Sequence, residues 1–523
     1  MGYCACVELR PYQTEAIDRI CERGNLLLAL TMGAGKTAAA VAAVRRLRRE
    51  RRVDHGVIFA LKSTKYQWER EIHVWDPRAK VQVIEGDRRQ RWAMLKRAGR
   101  YHYNICHYEM LVNDWEQIKL HLPIDFVILD ECTYIKGFTA KRSRRAKALA
   151  PYADIRIGLS GQPVENKPEE LFSIMEFIDK DVLGGFHKFD RTFIKRDHWG
   201  KVKSYQNLPL INKVMGQAMY RKSREDIKEW LPDMIEVPMP IVLDQTAMDL
   251  HEYIRQDLAE AIDVALSFGP TGTFDLMSHY GRTQDMDSKG AMGQVMARML
   301  AMRMLSSHPR LLRMSADAFD TELSRWGSQY ASDLKEVGLL DNLPPTTAKL
   351  DALLEHIDEI LSEDPRHKVV VFSYFKPMLQ MIGADLVKMK VPWVKVTGDV
   401  SARLRDDYIV RFNNDPDCRV FLSSDAGAYG IDLNQGSHLI CYDLPWSSGA
   451  LAQRISRIDR TSSAFDQIFI GYMFGQSTIE ERMFDMLMQK RAISRAFIDG
   501  DFDPRSGMLT LDLESLKDFV SAA

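Results

Sequence analysis

Much is missing from this 523-residue chain, and each absence removes a class of function. No apolar run approaches the ~18 residues that a membrane-spanning helix needs. Cysteine is sparse and odd in number: seven are scattered, Cys4 and Cys6 lie one residue apart, and no Cys-x-x-Cys pair occurs. That usage argues against a disulfide framework or a zinc site and for a reducing compartment. The first residues lack the basic and apolar blocks of a signal peptide. Gly2 invites N-myristoylation, but Cys6 stands where Ser or Thr is wanted. Internal repeats and low-complexity tracts are absent. Net charge is nearly absent too, 71 Lys and Arg against 72 Asp and Glu leaving −1, which taken whole speaks against a nucleic-acid partner. The expectation is a soluble, cytoplasmic, monomeric protein of two or three domains.

The charge that is present is unevenly spread. Residues 1–150 hold 28 Lys and Arg against 17 Asp and Glu, a net +11, so the remainder carries −12. Arg45, Arg48, Arg49 and Arg52 form one cluster, and Lys141, Arg142, Arg144, Arg145 and Lys147 a second. Such asymmetry suggests a basic face, although solvated helix faces explain either cluster equally well.

The organising stretch is Ala29-Leu30-Thr31-Met32-Gly33-Ala34-Gly35-Lys36-Thr37. An apolar run, Leu26 to Leu30, precedes it and an alanine-rich helix former, Ala38 to Val44, follows. Strand, glycine turn, Gly-Lys-Thr and helix is the layout of a phosphate-binding loop. Gly33, Ala34, Gly35 and Ala38 would bring backbone N–H groups onto phosphate oxygens. Lys36 would reach the β- and γ-phosphates, and Thr37 would hold Mg²⁺. The strict pattern wants Gly where Leu30 stands.

Alternation of strand and helix signals continues through Val57–Ala60, Val81–Ile84, Tyr103–His107, Phe126–Leu129 and Ile155–Leu159. It predicts an α/β fold with a parallel sheet whose ligands sit at the carboxyl ends of the strands. Lys36, Ser63, Asp130, Glu131 and Ser160 all fall just past strand ends. Asp130-Glu131 comes 94 residues after Lys36; there Asp130 can hold Mg²⁺ and Glu131 can orient the attacking water. Gln13 is a candidate adenine reader, since an amide can both donate and accept. Strand signals fade between Tyr205 and Pro345, where helices over Asp244–Leu266 and Gly290–Ser306 dominate; the methionines of the latter read as core packing. Gly269 to Gly272 reads as a loop tip. A second α/β domain follows, with strands over Lys368–Ser373, Trp393–Val396, Arg419–Leu422, His438–Tyr442 and Ile468–Phe474. It has no phosphate loop. It does hold Gln453 to Arg460, which on a helix places Gln453, Arg457 and Arg460 on one face, the arrangement of an arginine finger.

Taken in order, these segments resemble superfamily-two helicase-like ATPases, and within them the Swi/Snf-type chromatin-remodeller and DNA-translocase family. Leu9 to Gln13 resembles the family's start and Met32 to Thr37 its motif I. Lys62-Ser63 with Trp68 and Trp75 is similar to motif Ia, Asp130 to Gly137 to motif II, and Ser160 to Asn166 with Glu170-Leu171-Phe172 to motif III. Phe372-Ser373-Tyr374 resembles motif IV, Ser423 to Leu433 motif V, and Asp443 to Trp446 with Gln453 to Arg460 motif VI. The chain departs at Cys132-Thr133, Gln162, Asp432 and Ser456, and lacks Gly-Gln after Arg460.

The resemblance implies two RecA-like lobes, with ATP in the cleft and duplex nucleic acid across both. The expected parts are lobe 1 over 1–204, a helical insertion over 205–345, lobe 2 over 346–485 and a helical tail over 486–523. The expected activity is a Mg²⁺-dependent, DNA-stimulated ATPase that tracks along double-stranded DNA without sequence preference. Its catalytic residues would be Lys36, Asp130, Glu131, Arg457 and Arg460, with Gln13 and Asp432 touching nucleotide. Lys62, Ser63, Ser160, Thr397, Ser423 and Ser424 would touch DNA. Two rivals stay open: a strand-separating DNA or RNA helicase, which Asp432 favours, and a nucleic-acid-binding module with a degenerate ATPase.

Overall fold

The structure is a computed structural model that describes residues 8–161, 163, 168–196, 198, 202–267, 290–321, 327–427, 430–499 and 516–517. Cys4, Cys6, Gln162, Val164 to Asn166, the tip Gly269 to Gly272, and most of the expected tail lie outside the described residues. The chain divides into two compact units. One runs to Leu231 and takes back a stretch beginning at Ala492; the other spans Pro232–Arg491.

The first unit is built on strands β1 (Asn25–Leu30), β2 (Gly56–Ala60), β3 (Val81–Val83), β4 (Tyr103–His107), β5 (Phe126–Leu129), β6 (Ile155–Leu159) and β9 (Met219–Lys222), in the order β3-β4-β2-β5-β6-β1-β9. A separate antiparallel ribbon joins β7 (Ile194–Arg196) to β8 (Val202–Tyr205). Every pairing in the seven-stranded sheet is parallel. The strands read as unbroken apolar runs because helices cover both faces, and Leu26 to Leu30 are all buried. With Leu27 opposite Gly158 on β6 and Met219 on β9, β1 lies inside the sheet, so the loop after it is held from both sides.

The second unit carries β10 (Asp233–Ile241), β11 (Val369–Phe372), β12 (Trp393–Val396), β13 (Val420–Ser423), β14 (His438–Cys441) and β15 (Gln467–Gly475), in the order β10-β15-β14-β11-β13-β12, again all parallel. Helices Gln245–Ser267 and Ala291–Ser307 form where the sequence predicts them. The methionines of the second, Met296, Met299, Met302 and Met304, are buried in one core with Leu250, Ile254 and Ile357.

Two expectations need correction. The stretch 205–345 is not a separate helical part, because it supplies an edge strand to each sheet: β9 beside β1 and β10 beside β15. Both hide from a hydrophobicity reading. β9 ends in Arg221-Lys222, and β10 contains Pro238 and Pro240. The Asp233 N–H donates to Asp466 on the β15 side, so odd-numbered residues of β10 turn their N–H inward and even-numbered ones outward. Both prolines fall on the outward parity, where no ladder bond is lost and strand addition by another chain is blocked. The boundary at 485 also fails, since one helix, Ile479–Asp499, runs through it.

Candidate nucleotide and nucleic-acid site

The phosphate loop is shaped by two glycines at positive φ, Gly33 at 78° and Gly35 at 72°. Gly35 is the N-cap of helix Lys36–Arg49, whose first-turn N–H groups therefore open toward the loop. The Lys36 ammonium donates to the carbonyls of Leu30 (3.1 Å) and Thr31 (3.2 Å), folded over its own loop. The Tyr12 hydroxyl and the Gln13 amide both donate to the Ala34 carbonyl at 3.1 Å, while the Gln13 carbonyl oxygen accepts from the Arg10 N–H at 2.8 Å. Gln13 is thus first of all a brace for the loop. A methyl group on Gly35 would come within 2.3 Å of that amide, so the brace and the glycine require each other.

Asp130 follows β5. Its side chain accepts from the Trp68 indole N–H at 2.8 Å, and its backbone carbonyl accepts from the Tyr108 hydroxyl at 2.6 Å. Burial pushes the Asp130 carboxyl above the ordinary carboxylate range, against the Trp68 N–H and the Lys36 charge, which pull it back. Glu131 adopts a left-handed backbone, φ 47°, at the entry to the short helical turn Cys132–Ile135. Such strain in a non-glycine residue is a mark of functional sites. The loop after β6 also reaches the phosphate loop: a Cβ on Gly161 would stand 2.6 Å from Met32 Cγ. Strand order explains this, since β6 lies between β1 and β5. The first unit therefore gathers Gln13, Gly33 to Ala38, Asp130, Glu131 and Ser160 at the carboxyl end of one sheet. Trp68 and Tyr108 escaped the sequence reading as partners of Asp130 because both come from other strand–helix units.

In the second unit the predicted helix Gln453 to Arg460 is shorter than expected. It spans Ser448–Ile455, and Arg457 and Arg460 lie on the turn after it. The cause is local. The Gln453 carbonyl accepts from the Ser456 hydroxyl (2.8 Å) and from Arg457 Nε (2.7 Å), and the backbone tightens to Arg457 N–H on Arg454. The two arginines still converge: Arg457 at 3.2 Å and Arg460 at 2.8 Å donate to the Ile431 carbonyl, and Arg460 pairs with Asp432 at 3.3 Å. Asp432 therefore belongs with Arg460.

The residue holding this face together is one the sequence reading passed over. Arg454 is buried, bonds Asp425 through Nε (2.6 Å) and Nη2 (2.9 Å), and donates to the Asp443 carbonyl. The Asp443 carboxylate in turn accepts from the Ser373 hydroxyl and the Tyr374 N–H. This network ties the carboxyl ends of β11, β13 and β14.

The expected DNA-contacting residues divide. Lys62 is exposed and Ser63 half-buried. Ser160, Thr397, Ser423 and Ser424 are buried. Ser423 donates its hydroxyl to the carbonyls of Val396 and Ser424, and Ser424 accepts from the Gly427 N–H, so these two hold loops in the present arrangement. The basic clusters are likewise largely engaged within the first unit. Arg48 pairs with Asp76, Arg45 donates to Trp75, Arg145 donates to Leu111 and Val112, and Lys147 pairs with Glu176. Lys141, Arg144 and Arg49 remain exposed.

Two parallel-sheet units in sequence, the first with a phosphate loop and a half-buried strand-end carboxylate, define the two-lobed helicase-like class. Within it the chain belongs to the SNF2-related family: the family described as SNF2-related domain matches residues 12–310, and the helicase conserved C-terminal domain matches residues 348–462. It is similar to the CHD3-type chromatin-remodeling factor PICKLE of Arabidopsis thaliana, 23% identical across 94% of this chain and 34% of that protein. It is also similar to the DNA repair and recombination protein RAD54-like of Mus musculus, 23% identical across 98% of this chain and 70% of that protein. The chain spans about a third of the length of the CHD3-type relatives it matches. Among solved structures it is similar to a Sulfolobus solfataricus SWI2/SNF2 ATPase core in complex with dsDNA, 23% identical over 98% of this chain and 97% of that one, with a TM-score of 0.41. Among the described residues, no helix is long and apolar enough to cross a membrane.

Proposed function

We propose that this chain is a Mg²⁺-dependent, DNA-stimulated ATPase that moves along double-stranded DNA as a monomer, without extensive strand separation. The observation that carries the reading is the meeting of Lys36, the Gly33–Gly35 turn and the half-buried, desolvated Asp130 at one sheet end, in a chain that belongs to the SNF2-related family. The residues fit a magnesium nucleotide. A carboxylate disfavoured by its own burial gains from a cation, and an ammonium resting on two loop carbonyls gains from phosphate. Magnesium would supply neutralisation of phosphate charge. Thr37 and Asp130 would hold it, Lys36 and the loop N–H groups would bind phosphate, and Glu131 would orient water and take its proton. Arg457 and Arg460 are assigned to charge developed during hydrolysis, on motif order and their shared anchor at Ile431.

Phosphate contacts are indifferent to base sequence, so binding should be non-specific and should weaken steeply with salt. Separating strands needs a wedge that unstacks base pairs at a cost of ~1.4 kcal/mol per step, and no aromatic hairpin placed for that is evident in the sequence. The test is displacement. With ATP the protein should strip a third strand from triplex DNA and leave a forked duplex largely paired. Efficient fork opening without triplex displacement would replace this reading with the helicase one.

A further inference from the structure

A cavity of about 410 Å³ lies in the second unit, between the face of strands β10, β15 and β14 and helix Ala348–Glu363. Its volume falls among those of small-molecule sites, ~300–1,000 Å³. The strand register explains why it is there. Val237, Gly471 and Ile440 stand side by side on three neighbouring strands, and the middle one has no side chain. A Cβ on Gly471 would come within 2.8 Å of Met239 Sδ, so a flexible thioether leans over the gap. Two residues earlier on the same face, Phe469 pairs with His438, their rings 4.7 Å apart and 7° from parallel. Val237 is 40% exposed, which brings the cavity to the surface.

The polar groups on this lining favour a donor. Burial pulls His438 down to about 4, so its ring is neutral. The Ser437 hydroxyl donates to the Lys368 carbonyl at 3.2 Å and therefore meets His438 Nδ1, 2.9 Å away, as an acceptor. This network assigns the ring proton to Nδ1 and the lone pair to Nε2. Glu359 and Glu363, one turn apart and both exposed, line the same cavity, with His356 Nδ1 standing 3.2 Å from Glu359 Oε2. Helix Ala348–Glu363 adds Asp351, Glu355 and Asp358, whereas its lysine, Lys349, is buried against Glu480.

These features exclude several ligand classes. Phosphates, nucleotides and nucleic acid are anions and would face the carboxylates. An extended peptide adds to a strand edge, and on the outer edge of β10 Pro238 and Pro240 supply no N–H. A neutral apolar molecule would take water from the acceptors and return no donor. An N–H-bearing cation on an apolar body satisfies every wall. We infer that the cavity is a binding site for a small organic amine. Its apolar body packs against Val237, Met239, Ile360 and Phe469, and its ammonium donates to Glu359, Glu363 and His438 Nε2. Every residue invoked belongs to the second unit, so the inference does not depend on the motor reading.

The experiment is isothermal titration calorimetry on the full chain without nucleotide or DNA. Tryptamine is the probe, and tryptophol, with a hydroxyl in place of the ammonium, is its neutral counterpart. Tryptamine should bind saturably, one per chain, and tryptophol about tenfold more weakly or worse, since a charge-assisted bond is lost. The double variant Glu359→Gln, Glu363→Gln alters exposed side chains and should weaken tryptamine about tenfold while leaving tryptophol unchanged. Val237→Lys brings an ammonium into the cavity from the chain itself and should abolish tryptamine binding. If Val237→Lys does not fold, the double variant still decides. Tryptamine heats that never saturate, equal affinity for the two probes, or wild-type tryptamine affinity in the double variant would each overturn the inference and leave the proposed function standing.

Discussion

At the scale of the residue, the site depends on groups that brace the chemistry. Lys36, Asp130 and Glu131 were legible from the sequence because each follows an apolar strand, at a position where a parallel sheet puts its ligands. Their supports were not. Trp68 meets Asp130 across 62 residues of sequence, Tyr108 across 22, and Gln13 meets Ala34 across 21; no local pattern encodes such pairs. Trp68 is the clearest to test. Its indole N–H, with the Lys36 charge, draws the half-buried Asp130 carboxyl back toward its ionised form. Trp68→Phe keeps the ring and removes the donor, so the carboxylate loses its orienting bond. Partners of this kind are worth 10–100-fold in metal affinity. Trp68→Phe should therefore need roughly tenfold more Mg²⁺ for half-maximal turnover, while maximal turnover falls less. An unchanged Mg²⁺ titration would show that Trp68 serves packing alone.

At the scale of the element, the inner strands and the edge strands β3 and β12 announced themselves, while the edge strands β9 and β10 did not. β9 ends in two charged residues and β10 carries prolines on the side that makes no ladder bonds, so both read as loop. The helix read through Arg460 stops at Ile455 because Ser456 and Arg457 spend the Gln453 carbonyl on side chains. The predicted shared helix face for the arginines was therefore wrong in form. What unites Arg457 and Arg460 is the Ile431 carbonyl, and what fixes their loop is Arg454. Breaking a buried ion pair costs about 3–5 kcal/mol because the remaining charge stays buried. Asp443 keeps Ser373 and Tyr374 as donors after the loss, so Arg454→Met should cost about 3 kcal/mol, the low end of that range. A denaturant titration would register it as a lower midpoint. A midpoint equal to wild type would mean the network positions loops without stabilising them.

At the scale of the whole molecule, the summed charge of −1 concealed a basic first part, yet several of its clustered cations act inside the first unit as braces and pairs. Histidine has a larger consequence. Burial pulls His107 in the first unit, and His251, His308 and His438 in the second, from the ordinary 6.5 down to about 4. A base whose folded value is depressed is neutral in the fold and charged in the unfolded chain once the pH drops below 6.5. Stability is then full above 6.5 and falls as pH goes toward about 4, at up to ~1.4 kcal/mol per pH unit per group. Carboxyls held low, such as Glu252 at about 2, titrate below that window. Thermal unfolding at pH 7 and pH 5 should show a lower transition at pH 5, with the second unit losing more. A transition that rises on acidification would contradict these assignments.

The central claim concerns the cycle that joins these scales, and steady-state ATP hydrolysis with and without duplex DNA tests it most directly. The wild-type chain should hydrolyse ATP only with Mg²⁺ and at least tenfold faster with saturating duplex than without. Glu131→Gln should bind ATP with near-wild-type affinity and turn it over ~10² to 10⁴-fold more slowly, the range of general base loss. Hydrolysis that ignores duplex DNA, or a Glu131→Gln chain that turns over at the wild-type rate, would contradict the account.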